Sequence, residues 1–253
     1  MIIDADTHIT PTGAEFSTEQ LVTAMGRAGV DKALAWLRPD YHAEEIEGHN
    51  AYVYKATQAY PDKILGFGWA DPTVGVDHAK DMVKACVYEY GFYGVKLNGA
   101  QNHFYIDDPE ISLPVIEEIA RAGSILAFHV GSDDYSRTHP YRVGKIARQF
   151  PELPILMSHM GGVGVPDLSY EAIEMAQAYP NLTLIGSAID AKPILRAVKT
   201  LGASRVCFGS DAPFRLMHVV VAKYNALLDG EVSEAEKSDV MAGNITRLFG
   251  LQV

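Results

Sequence analysis

Cysteine is scarce in this chain. The 253 residues contain 2, Cys86 and Cys207. They lie far apart and form no CxxC pair, which excludes a disulfide scaffold and points to a reducing cytoplasm. Cys207 sits in the apolar run "RVCFGS" and reads as a small buried hydrophobe rather than a nucleophile. Positive charge is also in deficit. Lys and Arg number 21 against 32 Asp and Glu, a formal net charge of −11, which argues against a nucleic-acid partner. No stretch reaches the roughly 18 consecutive apolar residues of a membrane span. No basic and apolar leader precedes the first strand pattern, so no secretory signal is expected. No GxGxxG follows the first strand, as an open dinucleotide-binding sheet usually requires. "GGVGVP" has the glycines but follows the sixth strand with the wrong spacing. Linkers, low-complexity tracts and convincing short repeats are missing too.

What is present is a regular alternation. Hydrophobic residues make up 48% of the chain, enough for a large core. Strand-like runs fall at "MIIDADTH", "DKALAWLRP", "KILGFGWADP", "FYGVKLNG", "SILAFHVGS", "PILMSHMGG", "LTLIGSAID" and "RVCFGSDAP". Amphipathic segments such as "STEQLVTAMGRAG", "HAKDMVKACVYEYG", "SLPVIEEIARAG" and "HPYRVGKIARQF" lie between them. In "SLPVIEEIARAG", Leu113, Ile116, Ile119 and Ala120 form a helical stripe, with Ser112 placed to cap it and Gly123 at C′. Strands each followed by a helix, eight times over, predict an α/β fold: a (β/α)8 TIM barrel of about 250 residues. One domain is expected over residues 1–253. The longest strand-end connections, "NGAQNHFYIDD" and "GSDDYSRTHPY", follow the fourth and fifth strands. The tail "SEAEKSDVMAGNITRLFGLQV" reads as a helix, a Gly-Asn break and a last helical turn that closes the barrel or covers its base.

The first strand poses a question. Asp4, Asp6 and His8 alternate, and residues two apart share a face of a strand. Three ionisable groups on one buried face are costly unless paired. Either the aspartates bond to turn amides and His8 is an ordinary strand-end residue, or a divalent cation gathers them. The other strands favour the cation. Lys96 ends the fourth, His129 the fifth, His159 the sixth and Asp211 the eighth. In such a barrel the C-terminal strand ends meet in one mouth. His42, His49, His78, His103, His139 and His218 lie in helices or loops and read as ordinary.

These segments carry a resemblance. "IDADTH", "GVKL", "FHVGS", "SHMGG", "RVCFGSDAPF" and "MAGNITRLFGL" occur in this order over essentially the whole chain. Together they resemble the amidohydrolase superfamily, in particular the amidohydrolase-related branch that includes aminocarboxymuconate-semialdehyde decarboxylase and lactone hydrolases. The resemblance implies one divalent ion, Zn or Mn with Mg admissible, held by Asp6, His8, His129 and Asp211. Asp6 stands where the branch usually has the first His of H-x-H. That departure resembles members that decarboxylate without oxidation, and it shifts preference toward Mn or Mg. By the same resemblance His159 is the general acid or base, since an ordinary imidazole pKa of about 6.5 suits proton transfer. Asp211 both touches the ion and accepts a proton. Lys96 faces the substrate as a positive group; its alternatives are carboxylation with a bridge to a second ion, or a salt bridge to Asp4. Asp4 orients a ligand or a neighbouring Lys from behind. Arg137 and Arg215, in loops after the fifth and eighth strands, suit a bidentate grip on a substrate carboxylate.

Three functions stay open. One is a metal-dependent hydrolase of a small, carboxylate-bearing lactone, amide or similar compound, acting through a metal-activated water. Another is a metal-dependent decarboxylase of an aromatic or unsaturated acid. The third is a barrel that binds a small ligand without catalysis, which the ligand set with His159 argues against. Asp6 favours decarboxylation, but decarboxylases of this branch are commonly longer, so hydrolysis is preferred. The expected partner is a small-molecule substrate in the cytoplasm, with no nucleic acid and no membrane; a homodimer is a reasonable assembly.

Overall fold

A computed structural model describes residues 1–11, 16–38, 43–131, 133–162, 164 and 166–252, so His42 lies outside the described residues. Apolar, β-branched runs give parallel strands at Ile3–Ile9, Lys32–Leu37, Ile64–Gly66 continued by Gly68–Trp69, Gly94–Leu97, Ile125–His129, Ile155–Ser158, Leu182–Ile185 and Val206–Cys207. The circle closes where Ala5 N donates to Phe208 O (3.0 Å), Asp211 N to Asp6 O (2.8 Å) and His8 N to Ala212 O (2.8 Å). This is the expected (β/α)8 barrel.

The third strand departs from the single run predicted. It breaks at Phe67, whose N donates to Ala35 O at 3.0 Å, while Gly68 and Trp69 turn to pair with Val95 and Lys96. Its two glycines answer to crowding. A Cβ on Gly66 would lie 2.4 Å from the Phe92 ring, and one on Gly68 would lie 2.4 Å from Cys86 Sγ.

Parallel strands need crossovers, and a helix supplies each: Thr18–Ala28, Ile46–Ala59, Val76–Lys84, Ser112–Arg121, Pro140–Gln149, Ser169–Ala178, Ala191–Leu201 and Met217–Leu228. The first is bounded by a Ser17–Gln20 capping box and by Gly29 at φ 68°, the left-handed conformation that glycine adopts without steric cost. Helix Ser112–Arg121 buries Val115, Ile116 and Ile119, with Leu113 and Ala120 half-buried at the edges of the stripe. Gly123 follows it at φ 65° as expected. Ser112 does not cap it. Its hydroxyl donates to Tyr105 O (2.7 Å), because the Asp108 carboxylate already accepts from Glu110 N and Ile111 N.

The barrel core is apolar. Leu126, Phe128 and Met157 are fully buried, each contributing about 1.5–3 kcal/mol relative to exposure. The tail covers the base without the expected Gly-Asn break: Glu234–Ser238, Asp239–Gly243 and Asn244–Leu248 are consecutive helical segments, and Gly243 itself is helical. Asn244 Nδ2 donates to Ala203 O and Val206 O, both at 2.7 Å. Phe249 stacks on Tyr93 and Phe67. No helix among the described residues is long and apolar enough to cross a membrane.

Candidate active site and metal centre

The site is built from the C-terminal strand ends. In the first strand the pairing register slips by one residue between Asp4 and Thr7, which separates Asp4 from Asp6 and His8. Asp4 Oδ1 accepts from Ser210 N (2.8 Å) and Asp6 N (3.1 Å). It therefore ties the first strand to the turn that carries Asp211. Burial pushes its carboxyl up to about 7. The alternative of an Asp4–Lys96 salt bridge is not met, since Lys96 Nζ lies 3.9 Å from Asp6 Oδ1 instead.

Asp6, His8 and Asp211 converge. His8 Nδ1 donates to Leu37 O at 2.8 Å, which leaves the Nε2 lone pair toward the site. Trp36 Nε1 donates to that nitrogen at 3.2 Å. His8 Nε2 is 3.5 Å from both Asp6 Oδ1 and Asp211 Oδ1. Burial disfavours a charged His8, but the Asp211 and Asp6 carboxylates beside it outweigh this and raise its pKa. For Asp6, burial is outweighed by the Lys96 charge and by the His8 and His159 imidazoles beside it, which hold the carboxyl well below the usual carboxylate range.

Lys96 enters from the fourth strand and is almost wholly buried. Its Nζ sits 3.6 Å from the Trp36 ring centroid and 5.4 Å from that of Trp69. Burial lowers its pKa against the pull of Asp6 and Asp211. His159, ending the sixth strand, has Nδ1 3.0 Å from Ser187 Oγ and 3.6 Å from Asp6 Oδ2. Burial, then the neighbouring His129, pushes its pKa down to about 4. The two histidine rings meet edge to face at 4.6 Å. His129 itself directs Nε2 to Asp133 Oδ1, 2.9 Å away. Burial of the Asp133 carboxyl is outweighed by that bond, so its pKa falls.

The backbone around these groups is strained. His159 (φ 68°), Met160 (φ 52°), Ala188 (φ 48°) and Asp211 (φ 61°) all occupy the left-handed region without being glycine. Each such residue costs about 1–3 kcal/mol and persists where its surroundings over-determine it, which happens most at functional sites.

A divalent cation fits this donor set. Asp6 Oδ1 is buried without a hydrogen-bond partner, a costly arrangement for a carboxylate oxygen. Asp6, His159 and Asp211 each offer a ligand atom, all within 4.8 Å of one another, and His8 Nε2 stands beside two of them. Oxygen and imidazole donors suit Mn, Zn or Mg. Above them opens a cavity of about 440 Å³ lined by His8, Lys96, His129, His159, Asp211, Asp133, Phe214 and Arg215, among others.

The family model described as amidohydrolase matches residues 3–251. The chain belongs to the amidohydrolase family. That makes it an enzyme of this barrel class. Over 240 residues it is 23% identical to the gamma-resorcylate decarboxylase of Rhizobium sp. (strain MTP-10005), covering 76% of this chain and 71% of the relative. The solved 2,6-dihydroxybenzoate decarboxylase from Rhizobium superposes with a TM-score of 0.79 at 18% identity, covering 99% of this chain and 98% of that one. The dihydroxybenzoic acid decarboxylase of Polaromonas sp. JS666, solved with manganese and 2-nitroresorcinol, gives 0.78 at 17% identity, covering 99% and 97%.

These relatives correct the preference for hydrolysis. The curated relative is a decarboxylase, and the solved relatives with that activity match almost end to end. Kinship with a decarboxylase outweighs the length argument.

For the remaining sequence-predicted residues the outcome is mixed. Arg215 lines the cavity, whereas Arg137 pairs with Asp134 and is not among the lining residues. His103, read as ordinary, does line it, at φ 59° after a helical turn Gly99–Asn102. Cys86 and Cys207 are buried, with thiol pKa values pushed up to about 12 by burial, as suits a small hydrophobe. Sequence reasoning missed Asp133, Trp36, Trp69 and Ser187. Ser187 carried a faint signal, since it ends the seventh strand run "LTLIGSAID" where its neighbours end in His and Asp.

Proposed function

We propose that this amidohydrolase-family enzyme is a metal-dependent, non-oxidative decarboxylase of a small hydroxylated aromatic acid. The observation that carries this reading is Asp6. A carboxylate replaces the first imidazole of the pair, and its orphaned Oδ1 lies 3.5 Å from His8 Nε2, which is equally near Asp211 Oδ1. The kinship with gamma-resorcylate and dihydroxybenzoate decarboxylases sets the substrate class.

Asp6, His8 and Asp211 would hold the ion; His129 would be the fourth donor by exchanging its Asp133 contact for the cation, which leaves His159, also within reach of the donor atoms, to carry protons; manganese is favoured by the two carboxylates, and zinc is compatible. When bound, the ion supplies a positive charge that orients and polarises a substrate oxygen. The rest falls to the protein. Lys96 and Arg215 both line the cavity and are the side-chain cations that would attract an anionic acid. In the reaction the ring carbon takes up a proton drawn from a substrate hydroxyl or water through Nε2 of His159, the bond to the carboxylate carbon breaks with its electron pair left on the ring, and CO2 leaves. His159, neutral at pH 7 with its pKa near about 4, and Asp211 are the groups placed to hold and move that proton. The barrel of residues 1–253 acts as one catalytic domain, its buried apolar side chains forming one cluster from all the strands.

The test is direct. Protein loaded with Mn or Zn is incubated with 2,6-dihydroxybenzoate and its isomers, with a lactone panel alongside, and CO2 is measured. CO2 release that disappears on chelation and in Asp6→Asn is expected. No CO2 from any hydroxybenzoate with the ion bound would overturn the proposal.

A further inference from the structure

A side chain outside every recognised segment joins the two halves of the site. Ser187 is fully buried at the end of the seventh strand. Its hydroxyl donates to Asp6 Oδ2, and Ser187 Oγ lies 3.0 Å from His159 Nδ1. A hydroxyl has one proton to give, and an ionised carboxylate can only accept. The Ser187 proton therefore lies toward Asp6, since otherwise two sets of lone pairs would face each other at that distance. The Ser187 oxygen is then left as an acceptor, and His159 must present Nδ1–H to it.

The placement of Ser187 is over-determined. Before it, Gly186 has no room for a side chain: a Cβ there would lie 2.1 Å from the Tyr224 hydroxyl, which donates to Gly186 O at 2.7 Å. After it, Ala188 is held at φ 48°. Across from it, Gly209 leaves the gap through which Asp6 and Ser187 meet, and a Cβ on Gly209 would lie 3.1 Å from the Cβ atoms of both.

We infer that Ser187 is a positioning residue that locks neutral His159 as the Nδ1–H tautomer, leaving Nε2 as its one basic nitrogen, and that ties up Asp6 Oδ2 so that Oδ1 alone remains for a cation. The consequence for turnover rests on the decarboxylase reading above, while the tautomer itself does not. Loss of the hydroxyl frees the imidazole to take the other tautomer, and a proton carrier with its basic nitrogen turned away from the substrate is idle.

The experiment uses the full chain with ¹⁵N-labelled histidine and long-range ¹H–¹⁵N correlation, with and without Zn. His159→Gln identifies the His159 signals. The wild type is expected to show the Nδ1–H pattern at His159; an Nε2–H pattern there overturns the inference before any variant of Ser187 is made. Ser187→Ala is expected to shift His159 to a mixture of tautomers and to lower kcat by about 10–100-fold, the usual effect of losing such a supporting partner, with KM little changed. Ser187→Thr, which keeps the hydroxyl, is expected to restore both. An unchanged His159 tautomer in folded Ser187→Ala also overturns the inference. If metal-loaded wild type turns over no hydroxybenzoate, the decarboxylase reading falls, and the tautomer patterns still decide the role of Ser187.

Discussion

The Lys96 ammonium lies over the face of Trp36, 3.6 Å from the ring centroid. A desolvated cation on an indole gains about 2 kcal/mol or more, and Asp6 adds a charge partner at 3.9 Å. The ring face favours an ammonium and disfavours a carboxylated, anionic lysine. Native mass spectrometry is expected to find no carboxyl group added to Lys96. Lys96→Met leaves Asp6 buried without its strongest counter-charge, so metal-free stability is expected to fall by about 3 kcal/mol. Urea denaturation checks this.

His129 and His159 end adjacent strands but are expected to fail differently. His129→Ala should lower metal affinity by about 10–100-fold or more, judged from effects of supporting residues. His159→Ala should keep the metal and lose about 10²–10⁴-fold in turnover. Metal content, thermal midpoint and rate on each variant separate the two roles. A metal-loaded His159→Ala protein with the wild-type rate would end its assignment as proton carrier.

The pH dependence of stability contains two opposed contributions. The pKa of His159 is depressed from about 6.5 to about 4. It contributes stability that is present above its unfolded value and is lost as pH falls through that window. The pKa of Asp4 is raised from its ordinary 3.8 to about 7. Its contribution is present below its unfolded value and is lost as pH rises toward 7. The slopes have opposite sign, each at most about one proton, and overlap between roughly pH 4 and 6.5. Asp4→Asn keeps the acceptor for Ser210 N and Asp6 N, and should make stability rise more steeply with pH in this window. His159→Gln should make it fall. Denaturation midpoints of metal-free protein across the range measure both slopes.

Cation binding should raise the thermal midpoint. An ion at 100 times its Kd adds about 2.7 kcal/mol when it binds only the folded state. Mn or Zn is expected to stabilise the wild type and to leave Asp6→Asn nearly unmoved, because the orphaned Oδ1 is the donor lost. An equal shift in both proteins would place the ion elsewhere.

The base of the barrel offers a control. Asn244 Nδ2 satisfies two carbonyls at 2.7 Å each. Asn244→Ala leaves them buried and unpaired, at a cost of about 1–3 kcal/mol, while metal affinity and turnover per folded molecule stay unchanged. Calorimetry with a metal titration reads both.

The chain's alternation of strand and helix determined the barrel by itself, because hydrophobic period and connection length are local properties. The strand-end rule put Asp6, His8, Lys96, His129, His159 and Asp211 at one mouth, and the barrel's closure brings these side chains together there. Where local pattern competed with packing it failed: at Phe67, where the third strand breaks to serve two neighbours, at Ser112, displaced as a cap by Asp108, and at Gly243, held helical by the tail's docking. Asp4 shared the alternation of Asp6 and His8, yet one slip of register sent it to bind backbone amides. Only the tertiary structure could place Trp36 under Lys96, Asp133 on His129 and Ser187 between Asp6 and His159. Two of these contacts join residues from separate strands, and even for His129 and Asp133, four residues apart, the side-chain types alone carry no distance. Sequence lists which donors reach the mouth of the barrel; the closing of the eight strands decides which of them touch, and so which proton and which lone pair each one keeps.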